Sequence, residues 1–139
     1  MALEHLFATI PSGSKQVIIE KGNKVATVSD EVLKYIFDSL KWIYTSSCGD
    51  KKHMGLSYHG YSIIEEDNIE RLRTIVGCWI SLFELATDEV ILRGDFLVDE
   101  CRYEKVNIKR EEIVQELRGI MRVCDLALAQ GWKILYNGI

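Results

Sequence analysis

The chain has one proline, no CxxC pair and no apolar run near the ~20 residues that span a bilayer. It also lacks the GxGxxG, GxxxxGK[ST] and GxSxG patterns, so it carries no dinucleotide, P-loop or α/β-hydrolase signature. The first ten residues include Glu4 and His5 and no basic start, which predicts no secretory signal and a cytoplasmic location. We therefore expect no membrane association, no cofactor and no enzymatic activity.

The composition is that of an ordinary globular protein. The 139 residues are 47% apolar and 27% charged, which predicts a single domain over residues 1–139. The net charge is −4, and residues 61–108 hold eleven acidic against five basic side chains. Such a segment repels phosphate backbones and attracts basic proteins, so we expect a protein partner rather than nucleic acid. The alternative is an acidic surface that only keeps the protein soluble.

Hydrophobic periodicity predicts three amphipathic helices between short strands. We expect Ser29 to cap the first helix, and Arg93-Gly94-Asp95 to form a turn. The predicted strands are 16–20, 25–28, 55–58, 61–64, 89–92, 96–98, 102–108 and 132–136, and the predicted helices are 29 to about 45, 67 to about 87, and 109–131. This order predicts an α+β fold, a mostly antiparallel sheet of short strands with about three long helices packed on one face.

Two features of the predicted elements bear on packing. The second helix is apolar on nearly every side from Ile75 to Ala86, which predicts burial on several sides or a self-association surface. We expect Trp42, Trp79 and Trp132 to lie in the core or at its edge. In a reducing compartment the four cysteines are expected to be free thiols.

Few residues suggest a chemical site. Cys48, His53 and His59 fall within twelve residues, but their spacing matches no zinc module, so we expect no metal. His59 between Tyr58 and Tyr61 could line a small ligand-binding or catalytic pocket. That pocket is the alternative to a protein-binding function.

The chain from Asn68 onward contains WISLFELA, DEVILRG, KVNIKREEI, ELRGIMRVCDLALAQG and ILYNGI in that order. This order resembles immunity proteins of bacterial polymorphic toxin systems, including those of contact-dependent growth inhibition. The resemblance covers roughly the last seventy residues and is one of pattern. It implies a cytoplasmic inhibitor that binds the toxin domain of a cognate effector, commonly a nuclease.

An acidic inhibitor can occupy the basic substrate groove of a nuclease as a phosphate mimic. We therefore predict that the acidic side chains between Tyr61 and Ile108 gather on one surface and bind the cognate toxin domain. The predicted contact residues are Glu65, Glu66, Asp67, Asp88, Glu89, Asp95, Asp99 and Glu100. We expect the protein to be a monomer or a weak homodimer.

Overall fold

The computed structural model describes residues 3–11, 25–47 and 51–139. The described strands are β1 (Glu4–Ile10), β2 (Val25–Ser29), β3 (Tyr44–Ser46), β4 (Lys52–Met54), β5 (Tyr61–Ile64), β6 (Glu89–Leu97), β7 (Arg102–Lys109) and β8 (Lys133–Asn137). The α-helices are α1 (Asp30–Ile36), α2 (Asp67–Phe83) and α3 (Arg110–Gln130), and 3₁₀ helices cover Phe37–Trp42 and Val98–Glu100.

The strands form two antiparallel sheets. The larger sheet has six strands in the order β2-β1-β8-β5-β3-β4, and β6 pairs with β7 in a separate hairpin. The last strand, β8, lies in the middle of the larger sheet, where it pairs with β1 and with β5. The prediction of a C-terminal strand built into the sheet is confirmed.

The helices and the larger sheet share one hydrophobic core. Period-2 alternation along the strands turns Phe7, Val28, Ile134 and Tyr136 toward the helices. The helix α2 presents a stripe at helical spacing, formed by Ile69, Leu72, Val76, Ile80 and Phe83. The hairpin reaches the same core through Leu92, which is 2% exposed. The predicted α+β class with an antiparallel sheet is confirmed.

Two of the predicted helices are shorter than expected. The first is α-helical only to Ile36, continues as a 3₁₀ helix to Trp42, and is followed by β3. Ser29 precedes it, but the Ser29 hydroxyl donates to Glu116, 3.0 Å away, instead of capping the helix. The second helix ends at Phe83 and is amphipathic, so its predicted burial on several sides is wrong.

The hairpin contains another correction. The predicted turn at Arg93-Gly94-Asp95 lies inside β6, where the pairing register is irregular. A Cβ added at Gly94 would lie only 3.1 Å from the Cβ of Glu104, so glycine permits this close approach. The reversal of the chain comes later, at Val98–Cys101.

Other sequence predictions fail near the chain start and around residue 50. The strand β1, which lies next to β8 in the larger sheet, was not predicted, and the predicted strand 16–20 lies outside the described residues. Residues 55–58 are not a strand, whereas β4 covers Lys52–Met54, where no strand was predicted. Trp42, predicted to lie in the core or at its edge, is 64% exposed, while Trp79 and Trp132 are half-buried.

Within the described ranges, every helix is too short or too polar to cross a lipid bilayer.

Candidate functional site

Five polar side chains form a network between the larger sheet and α1. We call it the buried network because His5, Asp30 and Tyr136 at its centre are buried, whereas Tyr58 is partly buried and Lys34 is exposed. His5 Nδ1 lies 2.7 Å from the Tyr136 hydroxyl, and His5 Nε2 lies 2.9 Å from Asp30 Oδ1. The same Asp30 oxygen accepts a hydrogen bond from the Tyr58 hydroxyl. Lys34 Nζ lies 3.2 Å from the other carboxylate oxygen of Asp30. Asp30 is therefore the point at which β1, α1 and the loop before β5 meet.

The ionisation states in this network follow from its geometry. Burial raises the pKa of the Tyr136 and Tyr58 phenols above their ordinary range. Burial would also raise the pKa of Asp30, but hydrogen bonds from His5, Tyr58 and Lys34 outweigh it and hold the pKa below 3.8. A charged Asp30 only accepts, so His5 Nε2 carries the proton and His5 Nδ1 accepts from Tyr136.

The order tyrosine, histidine, aspartate has the connectivity of a catalytic triad, with a phenol in the nucleophile position. Its accessibility is different, since His5 and Tyr136 are both 0% exposed. A substrate could not reach the hydroxyl, and the raised pKa keeps the phenol of Tyr136 protonated. The network therefore joins elements of the fold and does not form an open catalytic site.

The hairpin presents an exposed aromatic surface. Phe96 and Tyr103 are paired across the strands, 50% and 48% exposed, with ring centroids 5.1 Å apart. The guanidinium of Arg93 lies 4.6 Å from the centroid of the Tyr103 ring. Ile91 and Val98 are 63% and 75% exposed. We call Ile91, Arg93, Phe96, Val98 and Tyr103 the hairpin patch.

The eight predicted contact residues lie in three separate places. Glu65, Glu66 and Asp67 stand at the start of α2, and Asp88 and Glu89 at the start of β6. The length of α2 places these two groups roughly 25 Å apart, at 1.5 Å per residue. The distal half of the hairpin, residues 94–104, contains Asp95, Asp99 and Glu100. These residues lie on the order of 20–30 Å from Glu89 along the hairpin. The prediction of one shared acidic surface is therefore corrected to three groups.

Half of the eight carboxylates already have a basic neighbour. The ion pairs are Glu65–Lys133 at 3.2 Å, Asp88–Arg110 at 3.1 Å, Asp95–Lys34 at 3.2 Å, and Glu100–Arg102. Glu66, Asp67, Glu89 and Asp99 are exposed and form no ion pair with another described residue. Contact between these eight residues and a partner remains a prediction.

The group at the start of α2 borders a cleft of about 540 Å³. Its lining includes Glu65, Glu66 and Asp67 together with Tyr44 and Lys52. Glu66 has φ 50° and ψ −123°, an unusual backbone for a residue with a side chain. The predicted helix start at this acidic run is confirmed.

The alternative pocket around Tyr58, His59 and Tyr61 is not supported by the geometry. The Tyr58 hydroxyl is directed into the buried network, whereas His59 Nδ1 lies 2.8 Å from the backbone oxygen of Ile139. Tyr61 is 51% exposed on β5. Four clefts of the described chain are lined by other residues. The contacts of Tyr58 and His59 thus point to the fold and not to a common pocket with Tyr61.

The predictions for the cysteines and for metal binding are tested only in part. Cys48 lies outside the described residues, and His53 instead contacts the Ser47 hydroxyl at 3.1 Å. No cluster of three metal-binding side chains occurs within the described ranges. Cys78 and Cys101 are exposed free thiols, while burial raises the pKa of the Cys124 thiol to about 12.

Sequence reasoning did not single out His5, Asp30 or the aromatic pair Phe96 and Tyr103. The network members are separated by up to 131 positions along the chain, so no local pattern could connect them. A signal did exist for the hairpin. A run rich in charged residues that still contains aromatic residues is typical of a strand with an exposed apolar face.

Comparisons of the chain with protein-family models, with curated proteins and with solved structures found no match.

Proposed function

We propose that the protein acts in the cytoplasm as a binding protein that neutralises a cognate toxin domain. The resemblance of residues 68–139 to immunity proteins supplies the class of partner. The hairpin, which lies within those residues, supplies the contact surface. The proposal requires no catalytic group and no cofactor in this chain.

The observation that carries the proposal is the exposed aromatic pair of the hairpin patch. Tyrosine, phenylalanine and arginine are enriched at the centres of protein interfaces. Here Phe96 and Tyr103 are already in contact, and Arg93 is already placed over the ring. Because these side chains are ordered before binding, they would lose less conformational entropy on association.

The charge around the patch favours a basic partner. Between Asp88 and Lys105 there are six acidic and three basic side chains, a net charge of −3. Among them, Asp95, Asp99 and Glu100 lie in the distal half of the hairpin, beside Phe96 and Tyr103. A toxin domain with a basic substrate groove would be attracted to this region, and association would slow as salt rises.

The test uses the C-terminal part of the protein encoded directly upstream of this gene, which the proposal identifies as the toxin domain. Expression of that domain is expected to arrest growth, and co-expression of this protein should restore it. Combined F96A and Y103A should weaken binding by about 2–4 kcal/mol and abolish the protection. The matched control replaces exposed aromatic residues outside the hairpin, W42A with Y44A, and should still protect.

Charge-reversal variants test which of the acidic groups contributes to association with the partner. D99K with E100K should slow association at low salt, and the difference should shrink at high salt. E66K with D67K changes the same charge at the start of α2 and should have little effect. Protection that survives removal of the aromatic pair, or that fails only on charge reversal at α2, would contradict the hairpin as the contact surface.

A further inference from the structure

The two halves of the hairpin are held in different ways. Near its base, Leu92 is buried in the core, and Val90, Val106 and Ile108 pack against that core. Beyond the irregular register, the fully described stretch 94–104 contains no buried side chain. Apolar packing therefore fixes the base but cannot fix the direction of the distal half, which carries Phe96 and Tyr103.

Lys34 connects this distal half to the rest of the described domain, which we call the body. Its Nζ lies 3.2 Å from Asp30 Oδ2, and 3.3 Å and 3.2 Å from the two carboxylate oxygens of Asp95. Asp95 belongs to the irregular part of β6, immediately before Phe96. One ammonium group thus bridges a carboxylate of α1 and a carboxylate of the hairpin.

The Asp30 end of this bridge is fixed by the interior of the protein. Asp30 is 7% exposed, and its other oxygen accepts from His5 and from Tyr58. His5 is held in turn by Tyr136 on β8, the central strand. A continuous chain of polar contacts therefore runs from the middle of the larger sheet to the hairpin.

We propose that Lys34 is a positioning residue that latches the distal half of the hairpin to the body through Asp95, and that the latch depends on a charged Asp30. The latch itself follows from the contacts of Lys34. Only its relevance to partner binding rests on the proposed function. Loss of the latch would leave the base in place and let the hairpin patch move.

Protonation of Asp30 would remove the fixed end of the bridge. The pKa of Asp30 lies below its ordinary 3.8, so the latch is complete at neutral pH and is lost only as the solution becomes strongly acidic. The other titratable groups around the bridge are Tyr58, Tyr136, Glu31, Tyr35 and Asp38 on the body, and Arg93, Tyr103 and Glu104 on the hairpin.

The experiment is hydrogen exchange of the whole chain, read by mass spectrometry and needing no partner. K34M and D95N should each raise exchange of residues 94–104 about fivefold, while K34R should restore protection. The matched control is K133M. Lys133 is 36% exposed and pairs with Glu65 at 3.2 Å, whereas Lys34 is 39% exposed. The control should leave residues 94–104 unchanged.

A pH series distinguishes a latch from a merely structural role. After correction for the intrinsic exchange rate, protection of residues 94–104 in the wild type should stay constant from neutral pH down to about pH 4 and fall only below the ordinary 3.8 of an aspartate. In K34M it should already be low and nearly independent of pH. Unchanged exchange in both K34M and D95N, or an equal rise in K133M, would overturn the latch.

The latch and the proposed function fail in different ways. If K34M releases residues 94–104 but the combined F96A and Y103A variant still neutralises the upstream toxin domain, the latch stands and the hairpin is not the contact surface. If K34M abolishes neutralisation without any change in exchange, the latch is overturned and the hairpin can still be the contact surface.

Discussion

Two tyrosines illustrate how differently the body and the hairpin use the same chemistry. Tyr136 is 0% exposed in the central strand, and its hydroxyl is paired with His5. Tyr103 is 48% exposed on the hairpin, where its ring contacts Phe96 and the Arg93 guanidinium. Tyr136 is buried and fixed by its hydrogen bond, whereas Tyr103 is half exposed to solvent and accessible to a partner.

This difference separates residues needed for folding from residues available for binding. A polar group that is buried must keep its hydrogen-bond partner, because an unpaired one costs on the order of 1–3 kcal/mol. Side chains of the hairpin patch carry no such constraint, since water can replace their contacts. We therefore expect substitutions in the buried network to affect stability, and substitutions in the hairpin patch to affect binding.

The largest expected effect comes from D30A. Removing this carboxylate leaves His5, Tyr58 and Lys34 without their shared acceptor. We expect a loss of about 3–5 kcal/mol in the free energy of unfolding, measured by urea denaturation.

The control for D30A is D38A. Asp38 lies eight positions further along the chain, and its side chain is 97% exposed in an ion pair with Lys41. Its removal should leave the unfolding midpoint almost unchanged. If D30A and D38A proved equally mild, the buried network would not stabilise the fold as its geometry indicates.

The second largest effect on stability is expected from comparing substitutions at two neighbouring residues of β6, Leu92 and Ile91. Leu92 is 2% exposed and Ile91 is 63% exposed, because adjacent strand residues point to opposite faces. L92A should cost about 2–4 kcal/mol of stability through the cavity it leaves. I91A should cost less than about 1 kcal/mol. Equal losses in urea denaturation would mean that the base of the hairpin is not anchored in the core.

Parts of the fold could be predicted from the sequence because their signals are local. The 21-residue helix α3 has a long amphipathic pattern and ends before Gly131, which has φ 66°. Only glycine adopts that backbone easily, so its position marked the helix end. The strand β8 is a short apolar run after this stop, and it was predicted with an error of one residue at each end.

The remaining parts depend on contacts that no local pattern contains. Arg93-Gly94-Asp95 looks like a turn, but pairing with β7 extends the strand through it. The apolar periodicity of residues 32–44 predicts one long helix, yet α1 ends at Ile36. The acidic run 65–67 was found, but its distance from Asp99 depends on the tertiary fold. A charge count along the chain could therefore suggest a partner class but not a surface.

The smallest expected effect concerns the aromatic pair of the hairpin patch. A double-mutant cycle of F96A and Y103A should give a coupling of about 0.5–1 kcal/mol in unfolding, typical of a cross-strand pair. Because both rings are about half exposed, neither single substitution should unfold the protein. If toxin neutralisation is lost in variants that stay this stable, the rings act in binding and not in folding. A coupling of several kcal/mol would instead make the pair part of the folded core, and the distinction between hairpin and body would fail at that position.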